Sequence, residues 1–110
     1  MNENYFKRQQ ATGVNIDIKC GFVPGHVRVV NITSATGDEL QWFRGMADAS
    51  SIKIAGGVRS KITTLGITPL GDTANETMEQ GFRIGTDAAV NINTNEIIII
   101  AYRGGEGNQF

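Results

Sequence analysis

The chain has 110 residues, ten Lys/Arg against eleven Asp/Glu, one histidine and one cysteine. That length fits one domain with a modest core, since folding at this size hides roughly two-thirds of the unfolded chain's surface. No basic cluster exceeds Lys7-Arg8, which argues against a polyanion-binding surface; lone Cys20 rules out an internal disulfide; and no apolar run approaches the roughly 20 residues of a membrane helix.

The polar opening MNENYFKRQQ has no apolar stretch of the kind a secretory signal needs. Export by a signal peptide is therefore not expected, and the sequons at Asn31-Ile32-Thr33 and Asn75-Glu76-Thr77 are not expected to carry glycans. Residues 1–13 read as an arm, disordered or held by a partner. Val14, Ile16, Ile18 and Cys20 then alternate with Asn15, Asp17 and Lys19, the period-2 pattern of a half-buried strand. Gly21 to Gly25 breaks it, because Pro24 cannot donate to a ladder. Val27 to Ile32 is the next strand, residues 34–38 (SATGD) a turn, and Leu40 to Phe43 a short third strand. Residues 44–51 carry no decisive signal. Ile52 and Ile54 alternate about Lys53, Gly56-Gly57 turns the chain, and Val58 to Leu65 is a strand with Arg59 and Lys61 on its wet face. Residues 66–80 read as a long loop holding Asp72, Glu76 and Glu79. Phe82 to Ile84, Ala88 to Ile92 and Ile97 to Arg103 are further strands, the last two joined by a tight connection at 93–96. Residues 104–110 (GGEGNQF) read as a flexible tail. The whole is all-β, an antiparallel β-sandwich or jelly-roll-like domain over 14–103 with seven or eight short strands.

Residues 21–32 (GFVPGHVRVVNI) and 81–92 (GFRIGTDAAVNI) coincide at six of twelve positions at a constant offset of 60. A duplicated half-sandwich would produce this. Convergence on one Gly-Phe, turn, strand pattern is the simpler account, because the flanking segments do not match. Either origin makes the two segments equivalent strand entries, with Phe22 and Phe82 as core residues.

Motifs for chemistry are sparse. With one histidine, a Cys20–His26 dyad is the one nucleophile–base pair available to test, and Cys20 reads instead as a buried thiol. CxxC and HxH spacings are absent, so no zinc site is expected. The acids of 72–79 lack the alternating ligand spacing of a calcium loop. The glycine-rich stretches 81–85 and 104–107 do not open a helix after a strand, so no phosphate cradle is expected. No catalytic, cofactor-binding or metal residues are assigned, and the chain is not read as an enzyme. The aromatics do not interleave with a basic stripe, which disfavours nucleic acid. Trp42-Phe43 is the densest aromatic spot; consecutive strand residues point to opposite faces, so one fills the core and the other faces solvent or a partner.

Several short segments together resemble a known group. These are Gly21-Phe22-x-Pro24 leading to Val27-x-Val29-Val30-Asn31, then Trp42-Phe43-x-Gly45-Met46-Ala47, then Gly81-Phe82-x-Ile84-Gly85-Thr86-Asp87 with Val90-Asn91, and a closing aliphatic strand to Ala101-Tyr102-Arg103. Over roughly residues 14–103 the chain resembles the small virion proteins that decorate tailed-bacteriophage capsids. The resemblance implies an oligomer, a homotrimer before a homodimer. It further implies binding on the capsid exterior, at junctions between major capsid subunits, so as to stabilise the shell. It implies synthesis in the host bacterial cytoplasm, with no membrane or nucleic-acid partner and no cofactor. An alternative is a receptor- or carbohydrate-binding module of a tail fibre or tail tip, built on an exposed aromatic platform around Trp42.

The run Ile97 to Ile100 has no polar alternation. Ile97, Ile99 and Ala101 share one face and Ile98, Ile100 and Tyr102 the other. One set belongs to the core, and the second is expected against a neighbour. Tyr102, with its polar tip, favours Ile98, Ile100 and Tyr102 as the outer set. Together with Tyr5, Phe6, Trp42 and Phe43 these are the expected interface residues. Deleting residues 1–10 is expected to spare the fold and weaken partner binding. Ile98→Asp or Ile100→Asp is expected to ruin folding or assembly.

Overall fold

A computed structural model describes residues 4–71 and 80–103. Its strands are β1 (Asn4–Gln10), β2 (Ile16–Lys19), β3 (His26–Asn31), β4 (Glu39–Phe43), β5 (Ser50–Ala55), β6 (Val58–Leu70), β7 (Gly81–Ile84) and β8 (Glu96–Tyr102). All eight belong to one sheet in the order β1-β8-β3-β4-β5-β6-β7-β2. Every pairing between neighbours is antiparallel. Among the described residues there is no helix, so the all-β reading holds.

The sheet curls until its two ends share one core. Ile16, Ile18, Phe82 and Ile84 of β2 and β7 lie in the same buried cluster as Ile97, Ile99 and Ala101 of β8, with Val27, Val29, Leu40 and Trp42 between. The result is sandwich-like. Period-2 alternation places these side chains: Ile16 and Ile18 are buried while Asp17 and Lys19 are exposed. Each fully buried Ile or Val contributes roughly 1.5–3 kcal/mol of transfer free energy. Phe22 and Phe82 are both in the core.

The sheet turns its corner within β6. Ser51 faces Ile62, yet the adjacent Ser50 faces Ile67, so residues 63–66 bulge out of the ladder. A bulge bends its strand. The first part of β6 therefore pairs with β5, and the part after the bulge also pairs with β7. Gly66 is required there, since a Cβ would stand 2.6 Å from the Ser50 carbonyl oxygen. The Ser51 hydroxyl donates to that carbonyl and accepts from the Ile67 amide at 3.2 Å. The strand expected to end at Leu65 thus runs on to Leu70; residues 66–70 are strand, not loop.

Three further expectations are corrected. The segment 1–13 contains β1, which pairs with β8 over its whole length, from Asn4 opposite Tyr102 to Gln10 opposite Glu96. Residues 88–92 form turns instead of a strand: Asp87 accepts from the Ala89 amide through Oδ1 and from the Asn91 amide through its carbonyl, which coils the backbone. Asn91 is buried, and its side-chain NH2 donates to the carbonyls of Val14 at 2.7 Å and Gly85 at 2.8 Å. Its Oδ1 accepts from the amides of Thr12 at 3.2 Å and Gly13 at 2.9 Å, so one side chain ties down the connection from β1 to β2. Finally, residues 21–32 and 81–92 are not structural equivalents, because β3 occupies the second half of one and turns the second half of the other. Asn31 and Asn91 do share a habit: each is buried and caps nearby amides through its Oδ1. The tail 104–110 and the acidic stretch 72–79 lie outside the described residues.

Candidate interface on the outer face of the sheet

Strand register sorts the expected interface residues onto two faces. Ile97, Ile99 and Ala101 point inward and are wholly buried, while Ile98, Ile100 and Tyr102 point outward and are half-buried. Phe6, directly opposite Ile100, is 67% exposed. In β4 the inward residues are Leu40 and Trp42. The indole stands opposite Val27 in the core and donates from Nε1 to the Ala47 carbonyl at 3.4 Å, so Trp42 is not an exposed anchor. Phe43 is, at 43% exposure. Tyr5 faces inward at the margin, opposite Ala101, and packs against the core. Burial there pushes its phenol above the ordinary range. The structure thus brings Phe6, Phe43, Ile98, Ile100 and Tyr102 to one face and removes Trp42 and Tyr5 from it.

The outer face is built in rows across neighbouring strands. One row runs Phe6, Ile100, Arg28, Gln41, Ile52 and Lys61. The next runs Arg8, Ile98, Val30, Glu39, Ile54 and Arg59. A shorter row of rings lies at the β8 end: His26 stands opposite both Tyr102 and Phe43. Its imidazole stacks on Phe43 at 4.4 Å between centroids and on Tyr102 at 5.1 Å. Its Nε2 is buried without a hydrogen-bond partner. Burial pushes the His26 pKa below its ordinary value; the Arg28 charge acts the same way, while Gln41 and Glu39 oppose it.

Charge is embedded in this apolar field. Arg28 forms an ion pair with Glu39 at 3.1 Å, and Gln41 donates to the same carboxylate. Arg28's own hydrogen bond to Glu39, and the charge of that carboxylate, hold its guanidinium above the ordinary range. Arg8 pairs with Glu96 at 2.6 Å at the margin. A fully wet face would not carry three consecutive outward apolar residues on β8 alone.

One residue of this face escaped the sequence reading. His26 belongs to the aromatic row, and only cross-strand register reveals that, because nothing local pairs it with Phe43 or Tyr102. The choice between Trp42 and Phe43 was legible: Glu39 and Gln41 share parity with Phe43 and mark the outward side. Cys20 and His26 form no dyad. The thiol donates to the Phe22 carbonyl at 3.3 Å, and burial pushes its pKa up, which disfavours the nucleophilic thiolate. Among the described residues no cluster of His, Cys, Asp or Glu could hold a metal ion, and no helix is long and apolar enough to cross a membrane.

No protein-family model, curated protein or solved structure matches the chain.

Proposed function

We propose that this chain is a structural virion protein that binds the outer surface of a tailed-phage capsid at junctions between major capsid subunits and stabilises the shell. The observation that carries the reading is the outward apolar stripe across β1, β8 and β3, formed by Phe6, Ile98, Ile100, Tyr102 and Val30. Such a stripe on a small β domain is an interaction surface by its chemistry. The resemblance of residues 14–103 to capsid decoration proteins supplies the kind of partner. A homotrimer is the favoured assembly, because capsid lattices present threefold and quasi-threefold sites; closed symmetry is the usual habit of such oligomers. The reading assigns no reaction and no cofactor to the chain. The carbohydrate-binding alternative loses its central feature, since Trp42 lies in the core.

The test is to mix purified protein with undecorated capsids and measure copies bound per shell. Saturation at a fixed number of copies per lattice site, with raised resistance of the shell to heat, is the expected result. Absence of saturable binding would reject the reading.

A further inference from the structure

The outer face has a charge imbalance that its apolar residues do not explain. Across β1, β8, β3, β4, β5 and the part of β6 paired with β5, it carries four cations, Arg8, Arg28, Arg59 and Lys61, against the two carboxylates Glu39 and Glu96, in a chain whose acids outnumber its Lys and Arg by eleven to ten. Arg8 and Arg28 are satisfied by Glu96 and Glu39. Arg59 and Lys61 are exposed on β6 and have no ion-pair partner among the described residues. They lie two residues apart on one strand, which spaces them by about 7 Å. They sit immediately beside Ile54 and Ile52, so they flank the apolar field on one side.

This arrangement discriminates among occupants. A second copy docked face to face would bring two spare cations of its own and no unpaired carboxylate, leaving four like charges at the contact. A nucleic acid would meet a field of Ile, Val and Phe with only two unpaired cations, far short of the phosphate contacts that drive such binding. A protein surface with an apolar centre and carboxylates at one margin satisfies both features. We propose that the outer face docks a different protein whose contact surface is apolar in the middle and bears a pair of carboxylates facing Arg59 and Lys61. The inference rests on the outer face being the shell-binding side, and it supplies the chemistry of the shell surface that the face meets. Self-association in a trimer then uses other surfaces of the domain.

The experiment measures binding to undecorated capsids by co-sedimentation at low and at high salt. It compares the unaltered protein, Arg59→Glu/Lys61→Glu, and Phe6→Ser, each checked for an unchanged far-ultraviolet circular dichroism spectrum. The charge reversal is expected to weaken binding roughly tenfold at low salt and to flatten its salt dependence. Phe6→Ser is expected to weaken binding alike at both salts. If Phe6→Ser weakens binding but the charge-reversed protein binds like the unaltered one, the face docks without carboxylates: the inference falls and the proposed function stands. If Phe6→Ser or Ile100→Asn instead dissociates an oligomer of the isolated protein in sedimentation equilibrium, the occupant is a second copy and the inference is overturned. If the unaltered protein binds no capsid at either salt, both fall together.

Discussion

His26 is half-buried between two rings with its Nε2 buried and unpartnered, so protonating it places a cation in a partly desolvated position with no acceptor at that nitrogen. Its folded pKa lies below the ordinary 6.5, so in the window beneath that value the unfolded chain binds the extra proton. The resulting stability is fully present above the unfolded pKa and is lost as pH falls through the folded one. Carboxylates titrate lower, and the chain has no other histidine. Melting temperature is therefore expected to drop between pH 7 and pH 5, and His26→Gln to flatten that slope in a calorimetric series. A mutant with the same slope would locate the titration elsewhere. Asn91 acts through hydrogen bonds alone. Asn91→Ala strands the amides of Thr12 and Gly13 and the carbonyls of Val14 and Gly85. Urea denaturation is expected to register a loss of about 2–4 kcal/mol. Asn91→Asp is not expected to rescue it, because a carboxylate cannot donate to the two carbonyls.

At the scale of elements, β8 separates folding from binding along one strand. Ile99→Asp puts a carboxylate into the core and is expected to abolish soluble folded protein. Ile100→Asp changes the outer face and is expected to fold, with capsid binding lost; circular dichroism with co-sedimentation distinguishes the two. Equal failure of both to fold would mean that the outer face is also core. β1 shields the free margin of β8. Its removal is expected to lower the melting temperature and to raise apparent mass in size exclusion, because a strand with four isoleucines becomes an open edge. A monodisperse deletion of residues 1–10 with unchanged stability would show that β1 is dispensable. Much of this was readable beforehand. Alternation gave β2 and the two faces of β8, and Pro24 with its flanking glycines marked the start of β3. β1 escaped because its sequence, NYFKRQQ, has no apolar period: as an exposed margin it needs none, and its partner strand is distant in sequence, with Arg8 reaching diagonally to Glu96, 88 residues away, in the ion pair. The turns at 88–92 escaped because Ala-Val-Asn-Ile has strand composition; the Asp87 carboxylate coils the backbone locally through the Ala89 amide, and Asn91 acts through side-chain bonds to the distant backbone of residues 12–14. The outer face was half legible: parity on β8 and β4 could be counted, but the cross-strand rows that assemble His26, Arg59 and Lys61 into it need register.

On the scale of the molecule, the pairings are long-range. β1 closes on β8 and β2 on β7, so the first strands cannot settle until the last are made. All-β domains dominated by such pairings refold over milliseconds to seconds. Stopped-flow tryptophan fluorescence, reporting Trp42 in the core, is expected to relax in that range. A microsecond phase carrying the full amplitude would contradict it.

The short connection fastened by Asn91 has a geometric consequence. β1 and β2 occupy opposite margins of the sheet, yet only residues 11–15 join them. Stretched taut from Gln10 to Ile16, that connection reaches about 20 Å. Eight strands laid flat would hold their outer members about 33 Å apart. The sheet therefore has no planar option: chain length alone imposes a minimum curvature, before any side chain packs. How flat the outer face can be, and so how flat a surface can lie against it, is limited by the number of residues between Gln10 and Ile16.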